Sequence, residues 1–133
     1  MRAPFEIVDS RGRSRYRIEP LDGDEVRVTV TSGEDLSASQ VLEMTPTDMR
    51  ELVFFFEELA VEWTGWRGAK VWKPPNERTS LEATHDGLGH VTLEARLFPR
   101  YYDLEWCVKA ALQLEAGQLD AVAGLAKSAV TDS

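Results

Sequence analysis

The stretch Glu25-Val26-Arg27-Val28-Thr29-Val30-Thr31, followed by Thr45-Pro46-Thr47-Asp48, decides the fold class. In the first segment valines alternate with polar residues, so Val26, Val28 and Val30 share one face of a strand. In the second the period changes. Thr45 suits a helix N-cap, Pro46 the first helical position, and Asp48 stands three residues on to answer the cap. Met49, Leu52, Val53, Phe56, Ala60 and Trp63 then recur at helical spacing. Phe54, Phe55 and Leu59 widen the apolar surface beyond one stripe. Helix 46–63 is therefore expected to pack on more than one side, against its own chain or against another copy. Gly65 ends it.

Toward the N-terminus the alternation continues. Phe5 and Ile7 lead into a turn at Asp9-Ser10-Arg11-Gly12, Arg15 to Glu19 alternate, and Pro20-Leu21-Asp22-Gly23 turn again. After Ser32-Gly33-Glu34-Asp35, residues Leu36 to Met44 read as a fourth strand, with Leu36, Ala38, Leu42 and Met44 on one side. Toward the C-terminus, residues 64–79 are the least regular. Ser80–His85 and His90–Phe98 form a hairpin about Asp86-Gly87-Leu88-Gly89, since Asp-Gly supplies the positive φ that tight turns need. Leu104 to Leu114 read as a long strand with Leu104, Trp106, Val108, Ala110, Leu112 and Leu114 inward. A last helix spans Gly117 to Val130.

The expected order is ββββ-α-βββ-α: an α+β fold, with one largely antiparallel sheet of about seven strands and two helices packed on one face. The other face would carry Arg15, Arg17, Arg27, Thr29, Thr92, Glu94, Arg96 and Lys109 to water.

The 133 residues suit a single domain, 1–133, able to bury a core without disulfides or metal. The 43% hydrophobic and 29% charged residues are ordinary for a globular protein and argue against disorder. A lone cysteine, Cys107, cannot form an internal disulfide and fits a reducing, cytoplasmic location. The start Met1-Arg2-Ala3-Pro4-Phe5 leads into a strand pattern, so no signal peptide is expected. The apolar run near Leu52–Phe56 is too short to span a bilayer. Net charge is −8, concentrated in residues 21–62 at −9, while the Arg-rich first twenty residues carry +2. Nucleic acid and anionic membranes should repel such a chain, and a basic partner could dock on its acidic middle.

Three groups of residues could carry chemistry. His85, Asp86 and His90 lie about one turn, and histidine serves both metals and proton transfer. Strand parity puts His85 with the apolar face and His90 with the polar one, and no third ligand has diagnostic spacing. The group either forms a site or merely builds the turn. Trp63, Trp66 and Trp72 interleave with Arg67, Lys70 and Lys73. They either contact a partner or seal the helix end onto the sheet. Cys107 sits beside Lys109, which could lower its pKa, or is an ordinary thiol. Glu57, Glu58 and Glu62 share a helix but no histidine joins them, so a wet face is the simpler reading. Phosphate loops, nucleophile elbows and zinc-spaced cysteines are missing from the sequence.

The segment Ser80-Leu-Glu-Ala-Thr-His-Asp-Gly-Leu-Gly-His-Val-Thr-Leu93, with Leu114-Glu-Ala-Gly-Gln-Leu-Asp120 and Trp63-Thr-Gly-Trp-Arg-Gly68, resembles a family of small actinobacterial proteins of unknown function. The resemblance covers most of residues 20–130 and implies a cytoplasmic, single-domain bacterial protein. It transfers no catalytic residues. Many small acidic proteins of this build are immunity partners of bacterial toxins, an analogy of size and charge.

The sequence therefore favours a non-enzymatic protein-binding role, toxin-neutralising or regulatory, without catalytic residues, cofactor or resident metal. Its partner would be a protein, a homodimer being one form, with Trp66 and Trp72 exposed at the contact. The rival is a small enzyme or ligand-binding protein using His85, Asp86 and His90, with or without a divalent metal.

Overall fold

The computed structural model describes residue 1, residues 3–99 and residues 106–131. Its elements are β1 (Phe5–Val8), β2 (Ser14–Pro20), β3 (Glu25–Ser32), β4 (Leu36–Glu43), α1 (Pro46–Val61), β5 (Ala69–Trp72), β6 (Thr79–His85), β7 (His90–Leu97), β8 (Val108–Glu115), a 3-10 turn (Ala116–Gln118) and α2 (Leu119–Thr131). The fold is α+β and its strand pairs are antiparallel. The single sheet of about seven strands is corrected: the described residues form two four-stranded meanders, β1-β2-β3-β4 and β5-β6-β7-β8. The extra strand, β5, lies inside the stretch read as irregular. Its four residues, bounded by Gly68 and by Pro74-Pro75, are too few to show a period. The start of β8 is also corrected. Trp106, expected inward, precedes the strand and is exposed, and Leu104 lies outside the described residues.

Each sheet buries one face. Tyr16, Ile18, Val28 and Val30 of the first join Leu81, Leu93 and Leu112 of the second in one apolar cluster with Leu52, Phe56 and Leu59 of α1. The sheets meet through β2 and β3 on one side and β7 and β8 on the other. The two helices pack on each other, with α2 touching β1 and α1 touching β5. They therefore complete a core shared with both sheets, where the sequence suggested a layer on one face of a single sheet. Tyr16 crosses between the sheets. Its hydroxyl lies 2.8 Å from Thr79 Oγ1, which in turn donates to the Arg96 carbonyl at 2.9 Å. Thr79 has one proton to give, so Tyr16 is the donor.

The start of α1 follows its sequence closely. Thr45 Oγ1 accepts from the Asp48 amide at 3.1 Å, and Asp48 Oδ2 accepts from the Thr45 amide at 2.9 Å, with Pro46 in the first turn. This reciprocal pair satisfies two of the helix's otherwise unpaired donors. Phe55, Phe56 and Leu59 are buried by the protein's own chain, and Phe56 packs its ring 5.7 Å from that of Phe5. Phe54 alone of the three adjacent phenylalanines is left outside, 58% exposed.

Candidate functional site

The β6–β7 hairpin holds His85, Asp86 and His90 in two separate arrangements. In the turn, Gly87 has φ +78, and Asp86 Oδ1 accepts the amides of Leu88 at 2.7 Å and His90 at 3.1 Å. Asp86 Oδ2 meets His90 Nδ1 at 2.9 Å, and Glu115 Oε2 stands 3.7 Å from His90 Nε2. The Leu88 amide, before the His90 bonds, holds the Asp86 carboxyl below its ordinary range. The hydrogen bond to Asp86, then the charges of Asp86 and Glu115, raise His90. This side-chain clasp braces a turn.

His85 belongs elsewhere. The Gly87 amide donates to its Nδ1 at 2.8 Å, so the ring proton sits on Nε2, which donates to the Trp63 carbonyl at 2.9 Å. The Trp66 ring stands edge-on to it, centroids 5.1 Å apart, and Trp66 Nε1 donates to the Ala83 carbonyl at 3.2 Å. Gly65 sits at φ +143, a backbone conformation that favours glycine, while a Cβ there would make only ordinary contact, 3.6 Å from His85 Nδ1. His85 thus fastens the end of α1 to β6, with both ring nitrogens engaged. Asp86 and His90 are brought together, and His85 faces different partners. No group of three or more metal-ligating side chains occurs among the described residues.

The tryptophans also separate. Trp63 is 56% exposed, Trp66 half-buried, and Arg67 exposed. The expected exposure of Trp72 is corrected, since only 4% of it is accessible. The strand alternation of β5 turns Trp72 inward, opposite buried Leu81, and turns Val71 outward at 58% exposure. Trp72 Nε1 has no hydrogen-bond partner among the described residues. Lys70 reaches α1, 2.7 Å from Glu62 Oε2 and 3.4 Å from Glu58 Oε1, and these bonds, Glu62 foremost, raise its pKa. Glu58 and Glu62 therefore hold Lys70, which the sequence reading did not anticipate. Cys107 is exposed, ahead of β8.

A groove flanks α1 on either side. One, of about 490 Å³, lies between Glu51, Phe54, Phe55 and Glu58 of α1 and Val71, Trp72 and Lys73 of the β5 region. The other, toward α2, is formed by adjoining hollows of about 410 and 420 Å³ that share Ala60 and Asp120, with Val61 lining the first and Trp63 the second. Val71 was missed in the sequence because its strand is too short to declare a face. Phe54 was visible there only as one of several residues widening the apolar surface.

The chain belongs to a family of unknown function, DUF6228, whose model matches residues 13–133. A search of curated proteins finds none that matches. No helix among the described residues is long and apolar enough to cross a membrane.

Proposed function

We propose that this protein is a non-enzymatic, cytoplasmic protein-binding module that neutralises or regulates a protein partner docked on the α1 side of the molecule. The observation that carries the reading is the exposure of Phe54 (58%), Val61 (81%), Trp63 (56%) and Val71 (58%) on and beside α1. These apolar side chains stand among Glu51, Glu57 and Glu58 and border both grooves. Exposed apolar surface with a charged rim is the usual form of a protein contact, and tryptophan is a frequent anchor in one. The net charge of −8 favours a basic partner protein over nucleic acid. The rival site at His85, Asp86 and His90 has less support, because both nitrogens of His85 are occupied within the chain.

The test is capture of the tagged protein from its source cells, with native mass spectrometry of the product. A stoichiometric second protein, lost when Phe54 and Trp63 are both changed to Asp without a change in melting temperature, is the expected result. A metal or small molecule in place of a protein would count against the proposal.

A further inference from the structure

The four sheet edges are not equivalent. The Gln113 carbonyl of β8 accepts the Ser10 amide at 2.7 Å, and the Glu43 carbonyl of β4 accepts Asn76 Nδ2 at 2.6 Å. Beside β1, the Ala3 amide reaches the Ala129 carbonyl of α2 at 3.4 Å. The edges of β8 and β4 are thus partly tied to other segments, and the chain just before β1 is tied to α2. β5 pairs with β6 on one side only, and no bond from its backbone to any other described segment is found. An open edge of this kind is a template for another strand. The groove of about 490 Å³ runs beside it, with Phe54 and Val71 exposed at its mouth.

Charge chooses the occupant. On the helix side the groove carries Glu51, which has no ion pair among the described residues, and Glu58, which already stands 3.4 Å from Lys70. Lys73, on the strand side, is already 3.7 Å from Glu77. A second copy of this chain also carries a net charge of −8, so overall charge opposes its approach.

Building on the protein-binding reading above, we propose that the groove between α1 and β5 docks an extended, basic segment of a partner protein. The segment pairs with the open edge of β5 and seats an apolar side chain between Phe54 and Val71. Its Lys or Arg residues meet Glu51, which has no ion pair among the described residues. Backbone pairing supplies affinity and the alternate side chains supply selection, as in other cases of strand addition.

The probe is a short synthetic peptide of alternating valine and lysine with blocked ends, added to the whole protein and followed by amide chemical shifts. Expected are shifts in Ala69–Lys73 and along the Glu51–Glu58 face, with slowed amide exchange in β5. A peptide with glutamate in place of lysine should leave those signals unmoved. Replacing Phe54 and Val71 by Asp should weaken the lysine peptide by about tenfold or more, because both anchors are lost. Both positions are exposed, so the variant folds, which an unchanged melting temperature verifies. No shifts at saturating peptide, shifts gathered instead around Trp63, Ala60 and Asp120, or equal binding by the variant would each overturn the proposal. If the partner captured from cells is retained by the Phe54/Val71 variant, the protein-binding reading survives and this docking site does not.

Discussion

At the scale of single residues, the two histidines show how a short motif divides its labour. Asp-Gly is legible in the sequence as a turn, and parity correctly sets His85 and His90 apart. What parity cannot reveal is that the end of α1 arrives to receive His85, because that contact joins residues 22 positions apart. The clasp between Asp86 and His90 has a definite pH signature. His90 is raised above 6.5, so its contribution to stability is complete below 6.5 and vanishes as pH climbs through the folded value. Asp86 is lowered below 3.8, so its contribution is complete above 3.8 and is lost as pH falls through the folded value. The pair therefore supports the hairpin most between 3.8 and 6.5. In Asp86→Asn the His90 titration midpoint, followed by NMR, should fall toward 6.5, and the stability gained on the acid side of that midpoint should shrink. An unchanged midpoint would show that the hydrogen bond does not hold in solution.

At the scale of elements, α1 separates packing from display within three consecutive phenylalanines. Phe55 and Phe56 face the core while Phe54 faces out, since successive helical residues differ by about 100° in direction. Phe56, with 0% exposed and its ring against Phe5, has no water-accessible substitute for its contacts. Phe56→Ala should cost about 3–5 kcal/mol in urea denaturation. Phe54→Ser should stay within about 0.5 kcal/mol of the parent, as surface changes do. If Phe54→Ser proved equally costly, Phe54 would be a core residue and the proposed contact surface would lose an anchor. The start of α1 was legible because capping is local. The strand β5 was not, because four residues between glycine and proline carry too little pattern.

At the scale of the whole molecule, the two sheets are held by their shared core and by a few polar links. Burial pushes the Tyr16 hydroxyl far above its ordinary range, with Thr79 opposing in part, so the group stays protonated and donates. Tyr16→Phe removes that donor and leaves Thr79 with an unfilled acceptor. A loss of about 1 kcal/mol is expected in chemical denaturation. A variant as stable as the parent would show that the link is replaced, by water or by repacking.

The sequence by itself determined the class of the fold, the sites of most turns, the helix start and the single-sided burial of the strands. Each of these follows from periods and caps that act within a few residues. It also marked Trp63, Trp66, Trp72, Arg67, His85, Asp86 and His90 as residues to watch. Tertiary structure decided that the strands divide into two sheets, because α1 stands between β4 and β5 and the second meander pairs only within itself. It decided that Trp72 goes in and Val71 out, and that Phe54 borders an open strand edge. Those outcomes depend on which segments meet after long loops close. No local period encodes such meetings, since they are settled by the joint burial of apolar faces distant in the chain.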